Sequence, residues 1–199
     1  MCGNGARCFS NFAAALLHHD KTTPLPFETM AGVVTATFEK DGNVTVNLTN
    51  PHSMQLFVLN ADPTVGADVH FLNTGVPHAV AFLDKLEGLD ISRLGAYLRY
   101  HEAFSPKGTN ANFARILSPG HIAIRTYERG VEDETLACGT GMTACALLHA
   151  VLTDAPSPIQ VDVAGGDTLK VGFQRTGDRF TDVTLTGPAD LVFTGDIQI

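Results

Sequence analysis

The chain has 199 residues, of which 44% are hydrophobic and 17% are charged, a composition typical of a globular protein with a buried core. Its formal net charge of −8 and the lack of any Lys/Arg cluster argue against a nucleic acid or an anionic membrane as partner. No apolar run is long enough to cross a bilayer, and the start of the chain does not resemble a signal peptide, so we expect a cytoplasmic protein. Its four cysteines should therefore stay reduced.

The first predicted element is a helix from Cys2 to about Leu17. Its residues are apolar nearly all round, and such a helix should be enclosed by other elements. A Pro-x-Pro signal at 24–26 ends it. Alternating apolar and polar residues then predict a hairpin with strands Val33–Phe38 and Val44–Leu48.

The middle of the chain mixes strand patterns with one amphipathic helix. The helix is capped by Asp90 and has Ile91, Leu94 and Leu98 on one face. The predicted elements are strands Gln55–Leu59, Val69–Leu72 and Ala79–Phe82, helix Ile91–His101, and strands Asn112–Leu117 and His121–Tyr127.

The last part of the chain repeats the first. The phrase Cys2-Gly3-Asn4-Gly5 returns as Cys138-Gly139-Thr140-Gly141, again opening an apolar run that stops at a Pro-x-Pro signal, at 156–158. A second hairpin, with strands Leu169–Phe173 and Thr181–Leu185, follows it. A repeat of this length indicates a duplicated domain. We therefore predict an α+β fold with two helices, each wrapped by a mostly antiparallel sheet.

The repeat divides the chain unequally. Residues 1–50 hold the first helix and hairpin, whereas 51–189 hold the second copy with a long folded stretch before it. We expect the first domain to be incomplete and to be completed in part by a strand over 190–199. An incomplete domain exposes sheet edges, which predicts oligomerisation through the gap and little activity.

The paired cysteines are candidates for chemistry. A helix start carries partial positive charge and lowers the pKa of a thiol there, and the flanking glycines let a ligand approach the free amides of the first turn. Cys8 and Cys145 lie within the apolar runs and are interpreted as packing residues. Cys138 and Cys145 would be about 10 Å apart along a helix, too far for one zinc ion, and no CxxC occurs, so no metal is expected.

Four motifs in order resemble diaminopimelate epimerase over essentially the whole chain. They are Met1-Cys2-Gly3-Asn4-Gly5-Ala6-Arg7-Cys8, Thr74-Gly75-Val76-Pro77-His78, Gly108-Thr109-Asn110-Ala111-Asn112-Phe113, and Tyr127-Glu128-Arg129-Gly130 continuing through Glu134 to Gly141. The resemblance implies a cofactor-free interconversion of LL- and meso-diaminopimelate in lysine and peptidoglycan precursor synthesis. It also implies two pseudo-symmetric domains, each a mixed sheet curled round a central helix, with the active site in the cleft between them.

The resemblance assigns roles to ten residues. Cys2 and Cys138 would be the acid/base thiols, with their pKa values tuned by His78 and Glu128. Backbone amides of Gly3, Asn4, Gly139 and Thr140 would bind the substrate α-carboxylate. Asn110, Arg129 and Glu128 would bind its other polar groups. Val76 departs from the asparagine that some members carry there. The other histidines, at 18, 19, 52, 70, 101, 121 and 149, show no metal-ligand spacing and are mostly expected at the surface.

Two alternatives stay open. One is a proline-racemase-like enzyme of the same fold, which also uses two helix-start cysteines, and the other is a non-catalytic remnant. The expected partner is a small amino-acid substrate, and family dimers are compatible with a homodimer that has Phe193 near the contact.

Overall fold

A computed structural model describes residues 2–196 as an α+β protein with three α-helices, a 3-10 turn and one large mixed sheet. The helices are α1 (Gly3–Leu16), α2 (Ile91–Tyr100) and α3 (Gly139–Thr153). The strands are β1 (Leu25–Thr29), β2 (Gly32–Phe38), β3 (Val44–Asn47), β4 (His52–Asp62), β5 (Ala67–Asn73), β6 (Pro77–Phe82), β7 (Asn110–Ser118), β8 (His121–Glu128), β9 (Asp133–Thr135), β10 (Ile159–Asp162), β11 (Thr168–Thr176) and β12 (Arg179–Gly187).

The strands follow the order β1-β2-β3-β12-β11-β10-β8-β7-β6-β5-β4, and β9 adds to β8. Only the pairs β6–β7 and β8–β10 are parallel among the described strands. Strands β3 and β12 pair antiparallel, with Val46 opposite Leu185, and so join the two repeated hairpins into one sheet. The mostly antiparallel α+β prediction is confirmed, whereas the division into 1–50 and 51–189 stays a prediction.

Helix α3 lies at the centre of the core. Every residue from Gly139 to Ala150 is buried, and strands β5–β8 and β10–β12 pack around it. A helix without a polar face is stable only when it is enclosed in this way. The enclosed helix that the second apolar run predicts is therefore present.

The same prediction is wrong for α1. This helix buries Ala6, Ser10 and Ala14 against one side of the sheet, but its other side is open. Among the described elements it packs mainly against β2, β3 and α3, and Phe9 also contacts Phe27 of β1. Four large side chains are left 50–67% exposed: Phe9, Phe12, Leu16 and Leu17. Cys8 is also exposed, so its interpretation as a packed thiol is wrong, whereas Cys145 is buried as expected.

Strand β4 is longer than the segment Gln55–Leu59 that its pattern predicts. Ser53, Phe57 and Ala61 have positive φ, and the register with β5 shifts between successive paired residues. Each bulge breaks the alternation of apolar and polar residues, which hides the strand in the sequence. Because β4 is at one edge of the sheet, the bulges also disfavour pairing with another chain.

The predicted strand over 190–199 is not formed in its described part. Residues 190–196 contain no strand, and 197–199 lie outside the described residues. The apolar side chains of this segment are largely exposed and do not pack against the sheet: Leu191, Val192 and Phe193. No helix in the described part of the chain is both long and apolar enough to span a bilayer.

Candidate active site

The two cysteines of the repeated phrase occupy the same structural position. Cys2 is the N-cap of α1, with φ −116° and ψ 107°, and Cys138 is the N-cap of α3, with φ −118° and ψ 107°. In both helices the glycine that follows the cysteine is the first helical residue. The repeat in the sequence therefore produces two matching helix starts, each with a thiol beside it.

The two helix starts lie against each other. A Cβ atom added to Gly139 would lie 3.5 Å from both Cα and N of Gly3, so the two backbones are nearly in contact. A Cβ atom added to Gly3 would lie 2.8 Å from the Leu185 side chain, closer than real Cβ atoms come to a neighbour. The same Leu185 methyl would lie 3.2 Å from a Cβ atom at Gly139, so a side chain at either glycine would require Leu185 to shift, and glycine fits without any change.

A cavity of about 150 Å³ lies at this junction. Nine of the ten predicted site residues line it, and only His78 does not. They are Cys2, Gly3, Asn4, Asn110, Glu128, Arg129, Cys138, Gly139 and Thr140, and Val76 and Ala137 complete the wall.

The cavity wall suits an anion. The first amides of a helix have no acceptor within the helix, and the amides of Gly3, Asn4, Gly139 and Thr140 belong to this class at two converging helix starts. The partial positive charges of both helices add at the same place. A carboxylate is therefore the group that this part of the cavity would hold best.

The two thiols have different surroundings. Cys138 is 7% exposed, and burial raises the pKa of its thiol, as do the charge of Glu128 and the Cys2 thiol to a lesser extent. Hydrogen bonds from Thr140 and the Gly141 amide act in the opposite direction. Cys2 is exposed, and its Sγ accepts a hydrogen bond from the Gly5 amide at 3.4 Å. Cys138 is thus held as a thiol, while Cys2 faces solvent.

The polar residues of the wall are fixed by the protein. Thr135 Oγ1 donates to Glu128 Oε2 at 3.0 Å. Asn110 accepts a hydrogen bond from the Arg129 amide at 2.8 Å and donates one to the Pro77 carbonyl at 2.9 Å. Both ends of the Asn110 amide are thus engaged, so it shapes the wall, and only a remaining lone pair of its oxygen is available to a ligand.

Asn4 differs from Asn110. Its side-chain nitrogen donates to the Ala137 carbonyl at 3.4 Å, whereas its buried Oδ1 has no partner within the protein. An acceptor left unpaired in a cavity wall is available to a ligand N–H group. The prediction from sequence used only the backbone amide of Asn4.

His78 lies beneath the cavity wall. It is fully buried on β6, opposite Asn110 in the register with β7. Burial, together with the charge of Arg129, lowers the pKa of His78 to about 3, so the imidazole is neutral at physiological pH. A neutral ring cannot act on a thiol as a cation. That His78 tunes a thiol pKa stays a prediction.

Sequence reasoning missed three buried polar residues close to the site. Thr74 Oγ1 donates to the Thr140 carbonyl at 3.0 Å, and Thr126 Oγ1 donates to Asn112 Oδ1 at 3.0 Å. Asn112 lies in one of the four motifs that carry the family resemblance, but nothing in the sequence distinguishes its role from that of Asn110. The expectation that the remaining histidines are mostly at the surface fails for His70 and His149, which are buried.

Alkylation should separate the four cysteines by burial. Iodoacetamide should modify the exposed Cys2 and Cys8 well before Cys138 and Cys145, because both of the latter are buried and burial raises the pKa of both thiols. Peptide mass spectrometry of a time course at pH 7.5 measures the order. Modification of Cys138 at the rate of Cys8 would contradict the buried thiol.

Comparison with known proteins first gives the structural class. The fold matches the crystal structure of a probable proline racemase from Agrobacterium radiobacter K84 with a TM-score of 0.68 and 21% identity, covering 94% of this chain and 65% of the racemase chain. Among residues 2–196, no group of three or more His, Cys, Asp or Glu side chains is arranged to hold a metal ion. At this TM-score the chain shares the fold of that racemase.

The family follows from sequence. The family model described as diaminopimelate epimerase matches residues 70–192. The chain is 42% identical over 200 residues to the diaminopimelate epimerase of Hydrogenobaculum sp. (strain Y04AAS1), a match that covers 98% of this chain and 69% of that relative. It is 41% identical to the diaminopimelate epimerase of Aquifex aeolicus (strain VF5), covering 100% of this chain and 70% of that relative. The chain belongs to the diaminopimelate epimerase family, a family of isomerases.

Proposed function

We propose that this chain interconverts LL- and meso-2,6-diaminopimelate by moving the proton of the α-carbon between two thiols. The observation that carries the proposal is the pair of matching N-cap cysteines on one cavity between two helix starts. Inversion at carbon requires a base on one face and an acid on the other. Two cysteines on opposed helices can supply both groups.

Binding begins with the α-carboxylate. The amides of Gly3, Asn4, Gly139 and Thr140 would donate to it, and Asn4 Oδ1 and the Glu128 carboxylate would accept from the α-ammonium group. This arrangement places the α-carbon between the two N-caps. The amide donors also stabilise the negative charge that spreads onto the carboxylate when the α-proton leaves.

The proton transfer then uses the unequal thiols. In one direction Cys2, as the thiolate, takes the α-proton, and the Cys138 thiol gives its proton to the opposite face of the carbanion. Cys138 is left as the thiolate and Cys2 as the thiol, so proton and charge balance. The reverse reaction exchanges the roles. The raised pKa of Cys138 suits it to start as the acid.

A second cavity next to the first favours a long substrate over a short one. A space of about 440 Å³ shares Arg129 with the first cavity and is also lined by Asn73 and Lys107. The positive charges of Arg129 and Lys107 and the side-chain amide of Asn73 suit the distal amino-acid end of diaminopimelate, which carries its own carboxylate. A proline-sized substrate would leave this space unused.

We propose a cytoplasmic location, because all four cysteines are free thiols. A homodimer is likewise a proposal, supported by the exposed Leu191, Val192 and Phe193. The negative net charge supports a small-molecule partner over a nucleic acid.

The test is solvent exchange at the α-carbon. The protein is incubated in D₂O with LL-diaminopimelate or with L-proline, and mass spectrometry and chiral chromatography follow deuterium and configuration. We expect deuterium and the meso isomer from diaminopimelate and neither change in proline. Deuterium in proline alone would favour a proline racemase, and exchange in neither substrate would favour a non-catalytic chain.

A further inference from the structure

A buried hydrogen-bonded chain of three side chains runs beneath the first turn of α3. Asn112 Nδ2 lies 3.1 Å from His78 Nδ1 and 2.9 Å from the Ala79 carbonyl oxygen. At the other end of the amide, Thr126 Oγ1 donates to Asn112 Oδ1 at 3.0 Å. Each of the three residues is at most 2% exposed to solvent. His78 and Asn112 are on neighbouring strands, β6 and β7, in the parallel register that pairs Val80 with Asn112.

The Ala79 carbonyl fixes the orientation of the Asn112 amide. A carbonyl oxygen only accepts hydrogen bonds, so the group that faces it at 2.9 Å must be the NH₂ end. The Thr126 hydroxyl then donates to the oxygen end. The second N–H of the amide is thereby directed at His78 Nδ1.

This orientation determines where His78 carries its proton. The ring is neutral, so one nitrogen bears hydrogen and the other accepts. Nδ1 faces a donor and must accept, which places the proton on Nε2. Nε2 is buried and has no partner in the protein. The protein thus holds a neutral, unpaired N–H donor on the residue that pairs in the sheet with Asn110 of the cavity wall.

Asn112 also touches the helix that carries Cys138. A Cβ atom added to Gly141 would lie 2.4 Å from Asn112 Oδ1, so the amide supports the first turn of α3 directly. The same added atom would be 3.4 Å from Cys138 Sγ. One side chain therefore contacts both His78 and the turn that positions the buried thiol.

We propose that Asn112 is a positioning residue that holds His78 as the Nε2–H tautomer and supports the Cys138 end of α3. The tautomer is a property of the folded chain, and its effect on turnover rests on the proposed function. A ring that changed tautomer would leave a bare nitrogen at this buried position in place of an N–H donor. Asn112 removes this freedom.

The tautomer is tested on the unmodified protein. Histidine labelled with ¹⁵N is incorporated, the imidazole ¹⁵N resonances are recorded at pH 7.5, and the His78 signals are assigned by their loss in His78→Asn. We expect a protonated Nε2 and a bare Nδ1. A protonated Nδ1, or exchange between the two forms, would overturn the proposal. Because this measurement needs no turnover, it stays decisive if the protein proves inactive.

Two variants extend the test. Asn112→Asp keeps the shape but can only accept, so His78 should move its proton to Nδ1, whereas Thr126→Val removes only the bond to Oδ1 and should leave the tautomer unchanged. In the active enzyme Asn112→Ala should lower kcat by about 10- to 100-fold with little change in KM. An unchanged His78 tautomer in Asn112→Asp and Asn112→Ala would show that Asn112 serves stability alone and would refute the proposal.

Discussion

Cys2→Ser and Cys138→Ser are each expected to lower the epimerisation rate of diaminopimelate by about 100-fold or more, because in the proposed reaction each thiol serves as acid in one direction and base in the other. A hydroxyl has nearly the size of a thiol but holds its proton far more tightly, so neither variant can supply both forms. Both cysteines begin helices that line the same cavity. The kcat of each variant, in both directions, is measured by following the two isomers by chiral chromatography.

The other two cysteines are matched controls. Cys8 is exposed on α1, and Cys8→Ser should leave kcat and stability nearly unchanged. Cys145 is buried in α3, so Cys145→Ser should lower the free energy of unfolding while the folded fraction keeps its rate. Equal and mild losses at all four cysteines would count against the thiol pair.

The second large effect expected is a loss of stability in acid caused by His78. Its pKa is about 3 in the folded chain and about 6.5 when the chain unfolds, so the fold favours the neutral ring. Between these values the unfolded state binds one proton more than the folded state, and stability falls as pH falls. The slope is about 1.4 kcal/mol per pH unit well below pH 6.5, with a total on the order of 4 kcal/mol by pH 3.

Urea unfolding at pH 7.5, 6.0 and 5.0 measures this slope. His70 and His149 are also buried with lowered pKa values, so the whole protein should lose more than His78 alone explains. The informative quantity is the slope of the unfolding free energy against pH, compared between the native protein and His78→Asn. The slope of the variant should be smaller by the contribution of one proton. Parallel curves for the native protein and His78→Asn would disprove a neutral, buried His78.

Much of the site could be predicted because its determinants are local. A cysteine followed by glycines before an apolar run defines a helix start, and that reasoning found both N-caps without any knowledge of the fold. The resemblance then assigned roles to ten residues, and nine of them line the cavity in the structure. Each of those residues belongs to a short motif at the beginning of a helix or next to either terminus of a strand.

What could not be predicted depends on contacts distant in sequence. The sequence of α1 is less apolar and more one-sided than that of α3. Its large apolar side chains Phe9, Phe12 and Leu16 are nevertheless exposed, because only α3 is surrounded by strands, and the sequence of α1 does not show how many strands cover it. The neutral state of His78 depends on burial and on the charge of Arg129, a residue distant in sequence. The bulges of β4 hide its length, because a positive φ reverses the alternation that identifies a strand.

The contact between Gly3 and Gly139 has a consequence for comparative genomics. Residues that touch are often recognised because substitutions at one are compensated by substitutions at the other. Here a side chain at either Gly3 or Gly139 would meet the same residue, Leu185, at 2.8 and 3.2 Å, so glycine is favoured at both positions for one shared reason. Selection would then keep both positions constant, and constant columns have no correlation to measure. The contact that brings the two helix starts together would leave no trace in correlated substitutions, although the proposed reaction depends on it.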